Sequence, residues 1–148
     1  MHLINTELWL PHPREKIFPF FADAQNLPML TPDWLQFRVT TPGPIVPQQG
    51  ARIDYQLRLH GFRVKWQSEI TVWEPPHRFV EEQRHGPCKH WKHEHIFAER
   101  DGNTLAIDRV LYAVRGGAVV NFLFVQRDVN RIFDYRKKKL RELFGRDE

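Results

Sequence analysis

Cysteine is almost missing from this chain of 148 residues: Cys88 stands alone. One thiol cannot close an intramolecular disulfide, so packing must hold the fold, and the cytoplasm is the expected setting. Long apolar runs are missing as well. No stretch approaches the roughly 18 residues that a membrane-spanning helix needs, and mean hydropathy is −0.55 with 27% charged residues, which places the chain among soluble proteins. The opening MHLINTELWL lacks a positive segment followed by an apolar one, so no secretory signal is expected. Internal repeats, low-complexity segments and breaks in composition are also missing, which predicts one domain over residues 1–148.

Charge of one sign is only mildly in excess. A net charge of +4 permits an acidic partner without demanding one. The run Arg136-Lys137-Lys138-Lys139 is basic enough for phosphate contact, yet no DNA-binding motif or aromatic-interleaved basic groove accompanies it. It reads as a solvated helix face, with no nucleic-acid partner; peripheral contact with an anionic membrane is the other use open to it. Aromatic residues, by contrast, are plentiful. At 13% of the chain, with five Trp and eleven Phe, they suit a wide core or an apolar pocket.

Taken in order, His2 to Leu10 has the content of a first strand. Pro13 is placed at the first position of a short helix that buries Ile17, Phe18, Phe20 and Phe21, with Pro19 expected to kink or break it. Asp23 reads as the N-cap of a second short helix through Leu27 and Leu30. Trp34 to Thr41 reads as a strand, and residues 42–50 as a loop. From residue 51 the alternation is clean: Ile53, Tyr55, Leu57 and Leu59 share a face. After His60-Gly61, so do Phe62, Val64, Trp66, Ser68, Ile70 and Val72. Further strands follow over 78–84, 89–99 and 104–114, the last two joined by Asp101-Gly102, a hairpin signal. Gly117 to Phe144 reads as one helix, its first turns apolar nearly all round and its later half, through Ile132, Phe133, Leu140 and Leu143, ordinary core. An antiparallel sheet with one apolar face needs a cover, and this helix is the element long enough. The fold class expected is α+β, a curved antiparallel sheet wrapped around a long C-terminal helix.

In Lys89 to Phe97, alternation puts Trp91, His93, His95 and Phe97 on one face. The aromatics should point inward and draw the two histidines between sheet and helix. Three uses stay open: packed and hydrogen-bonded core residues, groups that orient a polar part of a ligand, or catalysis or metal binding. Two imidazoles aimed the same way suit some zinc sites. The pattern shows no third ligand; His85, Glu81, Glu82 and Asp108 qualify if the fold brings one close. Metal is thus compatible but not called for, and no cofactor is expected. As acid–base groups, His93 or His95 would serve as base and Tyr55 or Tyr112 as donor to an oxyanion. Asp108 shares a face with Val110 and Tyr112; if inward, it needs a partner, for which Arg136 is a candidate. Cys88 has no visible triad and reads as a small buried residue.

This order of elements resembles the START-like superfamily, also called SRPBCC or polyketide-cyclase-like, along essentially the whole chain. Local runs add to the likeness: Asn26-Leu27 with Leu30-Thr31-Pro32, Trp73-Glu74-Pro75-Pro76 with Arg78-Phe79-Val80, Gly86-Pro87 before the histidine strand, and Phe133-x-Tyr135-Arg136. The resemblance implies the helix-grip fold and a small hydrophobic or amphipathic ligand bound between sheet and final helix. The sheet's share of the walls would be Tyr55, Leu57, Trp66, Trp91, His93, His95 and Phe97. The helix would add Phe122, Val125 and Val129. An alternative is a polyketide cyclase or dehydratase, with His93, His95, Tyr112 and Asp108 as candidate catalytic groups. A partner-binding module that dimerises through the start of the last helix is another, leaving monomer and homodimer both open.

Overall fold

The computed structural model describes residues 1–120 and 125–145, with the backbone alone at 118 and 119. Period-two alternation builds most of it. The elements are β1 (His2–Leu10), α1 (Arg14–Ala22), two 3-10 segments (Ala24–Leu30 and Asp33–Leu35), β2 (Arg38–Val39), β3 (Arg52–Leu59), β4 (Phe62–Glu74), β5 (Arg78–His85), β6 (Cys88–Arg100), β7 (Asn103–Val114), α2 (Gly117–Val120) and α3 (Gln126–Phe144). The strands form one curved, open antiparallel sheet in the order β1-β7-β6-β5-β4-β3-β2, the α+β helix-grip arrangement expected. From β2 onward, neighbours in the sheet are neighbours in the chain. Only β1 pairs at a distance, lying against β7 with His2 opposite Tyr112 and Leu10 opposite Thr104. The chain must therefore cross from one sheet edge to the other between β1 and β2, and α1 and the 3-10 segments are the material of that crossing.

Local chemistry accounts for these pieces, with some departures from expectation. Pro13 is the N-cap of α1, not its first residue, and α1 runs on through Pro19 to Ala22. The missing proline N–H forfeits one helical bond, and burial of Ile17 and Phe18 outweighs it. The Asp23 side chain accepts from the Gln25 N–H and caps a segment that is 3-10 rather than α. The strand expected over Trp34 to Thr41 shrinks to Arg38–Val39, because Asp33–Leu35 turns as a 3-10 helix and Gln36 takes a left-handed φ of 45°. On β4 the inward set runs through Ser68 and Ile70 but does not go on to Val72. Two residues of β4 answer one of β5 between Ile70 and Val72, and this bulge flips the parity so that Trp73 turns inward. The Trp73 ring lies 5.2 Å from that of Phe18 and 5.8 Å from that of Phe79.

On α3 the buried residues are Val129, Phe133, Arg136 and Leu140, spaced four, three and four apart. Leu143, expected in the core, is 43% exposed. Gly145, at φ 85°, ends the helix with its N–H on the Arg141 carbonyl. Whether α2 and α3 make the one helix expected over Gly117 to Phe144 turns on residues 121–124, outside the described residues.

The apolar side chains gather in three clusters. One joins Phe18 of α1 to Phe79, Phe97 and Leu140; a second joins Val110, Tyr112 and Val114 of β7 to Val129 and Phe133; a third joins Ile53 and Tyr55 of β3 to Ile70 and Ala24. Between them lies open space.

Candidate functional site

The space is a cavity of about 390 Å³, within the range of small-molecule sites, roughly 300–1,000 Å³. Tyr55, Leu57 and Trp66 form one wall. Trp91, His93 and His95 continue that wall on β6, the Trp91 ring 5.3 Å from that of Trp66, and Val125, Val129, Ile132 and Phe133 close it from the helix side. Leu27, Leu30 and Leu35 from the 3-10 segments, with Phe37 just after them, add to the lining.

One end is polar. His93 Nε2 lies 2.7 Å from Asp108 Oδ1, both side chains buried. Asp108 Oδ1 also lies 3.4 Å from Arg136 Nη2, reaching in from α3, and Thr6 Oγ1 donates to Oδ2 at 3.4 Å. β7 therefore turns Asp108 inward, the choice that alternation left open, and Arg136 is there to pair with it. Burial alone would raise the Asp108 carboxyl, but Arg136 and the His93 hydrogen bond hold it well below the usual carboxylate range. An ionised carboxylate only accepts, so His93 donates to it from Nε2.

His95 stacks on His93, ring centroids 3.8 Å apart, and on Phe79 at 4.2 Å. Its nitrogens face two carboxylates and bond to neither: Nδ1 is 3.5 Å from Asp108 Oδ1 and Nε2 is 3.8 Å from Glu81 Oε2. Both nitrogens are buried without a hydrogen-bond partner among the described residues, as is Tyr55 Oη. Burial, reinforced by His93 alongside, lowers the His95 pKa to about 4, so this imidazole is neutral at pH 7. For Tyr55, burial and the charge of Glu81 raise the phenol well above its ordinary value. Burial would raise Glu81 too, but the neighbouring imidazoles and Arg136 more than offset it and the carboxyl sits below its ordinary value. Glu81, His93 and His95 each offer an atom that could ligate a metal, all within 4.8 Å of one another.

The arrangement makes two kinds of chemistry available: a dry, mostly apolar pocket for a small molecule, and a histidine oriented by a carboxylate. Residues 10–135 match the model of a family described as polyketide cyclase / dehydrase and lipid transport. The chain belongs to this family.

Solved structures agree on the fold. Protein CV1439 from Chromobacterium violaceum superposes with a TM-score of 0.73 at 15% identity, covering 99% of this chain and 100% of that one. The Zhui aromatase/cyclase from Streptomyces sp. R1128 gives 0.70 at 13% identity over 94% and 90% of the two chains. Ginseng major latex-like protein 151 from Panax ginseng gives 0.69 at 9% over 97% of each. At such identities the likeness carries the fold alone. Among curated protein sequences, none matches. Among the described residues, no helix is long and apolar enough to cross a membrane.

Within this polyketide cyclase / dehydrase fold, Tyr55, Leu57, Trp66, Trp91, His93, His95, Val125 and Val129 all face the cavity. Phe97 does not; it packs against Phe18 and Phe21, one step past the cavity's end on β6. Phe122 lies outside the described residues. Tyr112 is buried in the second cluster beside Trp91, and Asp108 sits behind His93, reaching the cavity through it. Sequence reasoning missed the lining from the 3-10 crossing, where proline and the αL residue Gln36 break any period. It also gave Ile132 and Phe133 to the core, although both face the cavity.

Proposed function

We propose that this protein binds a small apolar or amphipathic molecule between its sheet and α3, with a polar group of the ligand seated against His95 and Tyr55. The observation that carries this is the pairing of an apolar-walled cavity of about 390 Å³ with buried polar atoms that lack a partner among the described residues. A buried polar group without a hydrogen bond costs about 1–3 kcal/mol, and a ligand hydroxyl or carbonyl would recover that cost. His95, neutral at pH 7, can donate or accept, and Tyr55 can donate, which suits a ligand hydroxyl or carbonyl oxygen. The family's description and the fold shared with the aromatase/cyclase support the same reading. An intracellular carrier or sensor of such a molecule is the biological role it suggests.

The test is displacement of a hydrophobic fluorescent probe from the purified protein by long-chain alcohols, quinones and aromatic polyketones. Native mass spectrometry of protein taken from its own source would then identify what it carries. His95→Ala should weaken binding of oxygen-bearing ligands about tenfold and leave purely hydrocarbon ligands nearly unaffected. Equal losses for both would remove His95 from recognition.

A second reading, a cyclase or dehydratase, is favoured by one observation, the 2.7 Å contact of His93 with Asp108. A carboxylate that fixes the tautomer of a histidine is the arrangement of a general base. His93 would take a proton from the carbon beside a ligand carbonyl, and Tyr55 would donate to the oxyanion. Turnover of a polyketone that persists in His93→Gln would exclude this reading while leaving ligand binding untouched.

A further inference from the structure

The two histidines and Glu81 meet in a way that ligand binding does not require. Glu81 comes from β5 and the histidines from β6, paired so that Glu81 faces His93 across the ladder. The register, not the sequence spacing, supplies the third group. The geometry points to a site for a divalent transition-metal ion, zinc by chemistry, held by Glu81, His93 and His95 at the polar end of the cavity.

Distance is the first argument. His95 Nε2 and Glu81 Oε2 are 3.8 Å apart, too far for a hydrogen bond. Two ligands about 2.1 Å from one tetrahedral ion stand about 3.4 Å from each other. Ligand atoms from all three residues lie within 4.8 Å, so side-chain shifts of about 1 Å would complete the sphere.

Unmet bonding is the second. The His95 side chain is only 6% exposed, and neither ring nitrogen has a hydrogen-bond partner among the described residues. An ion on Nε2 would satisfy it, and the Asp108 carboxylate is placed to accept a hydrogen bond from Nδ1–H after a small closure. His93 already has that second partner: Asp108 takes its Nε2–H at 2.7 Å. A carboxylate behind a ligating histidine is the outer support that metal sites carry, and with Nε2 engaged it is Nδ1 that would take the ion.

Charge is the third. Glu81 and Asp108 against Arg136 leave one negative charge in this buried cluster, so a divalent cation would be partly neutralised there. Two imidazoles with one carboxylate suit zinc and its neighbours better than calcium or magnesium, which prefer oxygen ligands alone. Three protein ligands leave a position open, and because all three line the cavity that position faces the ligand. A carboxylate, enolate or phenolate oxygen would complete it.

The experiment is titration of the full chain, first stripped with a chelator, with cobalt(II) chloride and no organic ligand. A visible absorption band should rise to an end point at one equivalent and be bleached by zinc. Glu81→Gln and His95→Gln should each weaken binding at least tenfold, whereas His85→Gln and His90→Gln, both exposed, should leave it unchanged. Glu81→Gln keeps the shape of the side chain, and its circular dichroism should match the parent. Should His95→Gln fail to fold, the Glu81 variant decides alone. No saturable binding below 1 mM would overturn the site, as would undiminished binding in Glu81→Gln or loss in the exposed-histidine variants. Because this titration contains no organic ligand, and the probe displacement can be run on the same chelator-stripped protein, this result and the cavity's own test fail or succeed separately.

Discussion

Gln83 closes the turn between β5 and β6 with its own side chain: its amide donates to the Cys88 carbonyl at 2.7 Å and accepts the Cys88 N–H at 3.2 Å. Gly86 leaves room for this clasp, since a Cβ there would run into Gln83 Oε1. Gly86→Ala and Gln83→Ala should therefore each cost about 1 kcal/mol, the worth of the bonds lost. Because both remove the same clasp, the double variant should cost about what either does alone. Urea unfolding of the three proteins measures this, and simple additivity would show that the glycine serves something else. Cys88 itself offers a pH test. Burial pushes its thiol up to about 11, with Arg115 only partly opposing. The proton therefore stays on below that pH, and at pH 8 only about one molecule in a thousand is thiolate, against roughly a quarter for a free cysteine of pKa about 8.5. Alkylation by iodoacetamide should rise with an inflection near 11; an inflection near 8.5 would mean that the thiol is open to water.

At the scale of elements, α3 is fastened at its first turns by two side-chain contacts. His60, in the β3–β4 turn, meets Asp128 at 2.8 Å, and the Arg131 guanidinium lies 4.8 Å over the Trp34 ring. His60 and Asp128 both line the cavity, so this pair ties the hairpin tip to the helix at the cavity's edge. An exposed pair is worth up to about 1 kcal/mol. Asp128→Ala should then speed probe association and dissociation together by roughly fivefold, with little change in affinity. Stopped-flow fluorescence reads both rates, and a change confined to dissociation would make Asp128 a ligand contact instead. None of this fastening was visible in the sequence, because His60 and Asp128 are joined only by the closure of the fold. Strands were legible wherever one face was apolar: β3, β6 and β7 follow directly from Ile53-x-Tyr55, Trp91-x-His93 and the Asp101-Gly102 turn. They were not where a bulge resets the period, as at Thr71, or where a segment lies against the cavity without alternating, as from Asp33 to Phe37. His93 and His95 were legible as an inward pair. Glu81 as their companion was not, since cross-strand register is set by the hairpin between β5 and β6 and not by spacing along the chain.

At the scale of the whole molecule, the apolar walls around about 390 Å³ of space forgo contacts that a closed core would make, so the cavity is kept open at a cost. Leu57 stands on β3 between Tyr55 and Leu59, all three on the lining. Its replacement by a larger apolar side chain separates a functional cavity from space that the fold merely failed to fill. If the space is real and dry, the Leu57→Trp indole can occupy it, and filling such a cavity stabilises a fold by about 0.5–2 kcal/mol. Had the walls been in contact already, the same substitution would overpack them and cost about 1–3 kcal/mol. Thermal unfolding should therefore show Leu57→Trp melting a few degrees above the parent, while probe binding falls at least tenfold. A variant that gains stability and loses its ligand would mean that selection for binding, not for packing, shaped the interior between the sheet and α3. A variant that loses both would return this region to ordinary core and leave the polar end, around Glu81, His93 and His95, as the feature still to be explained.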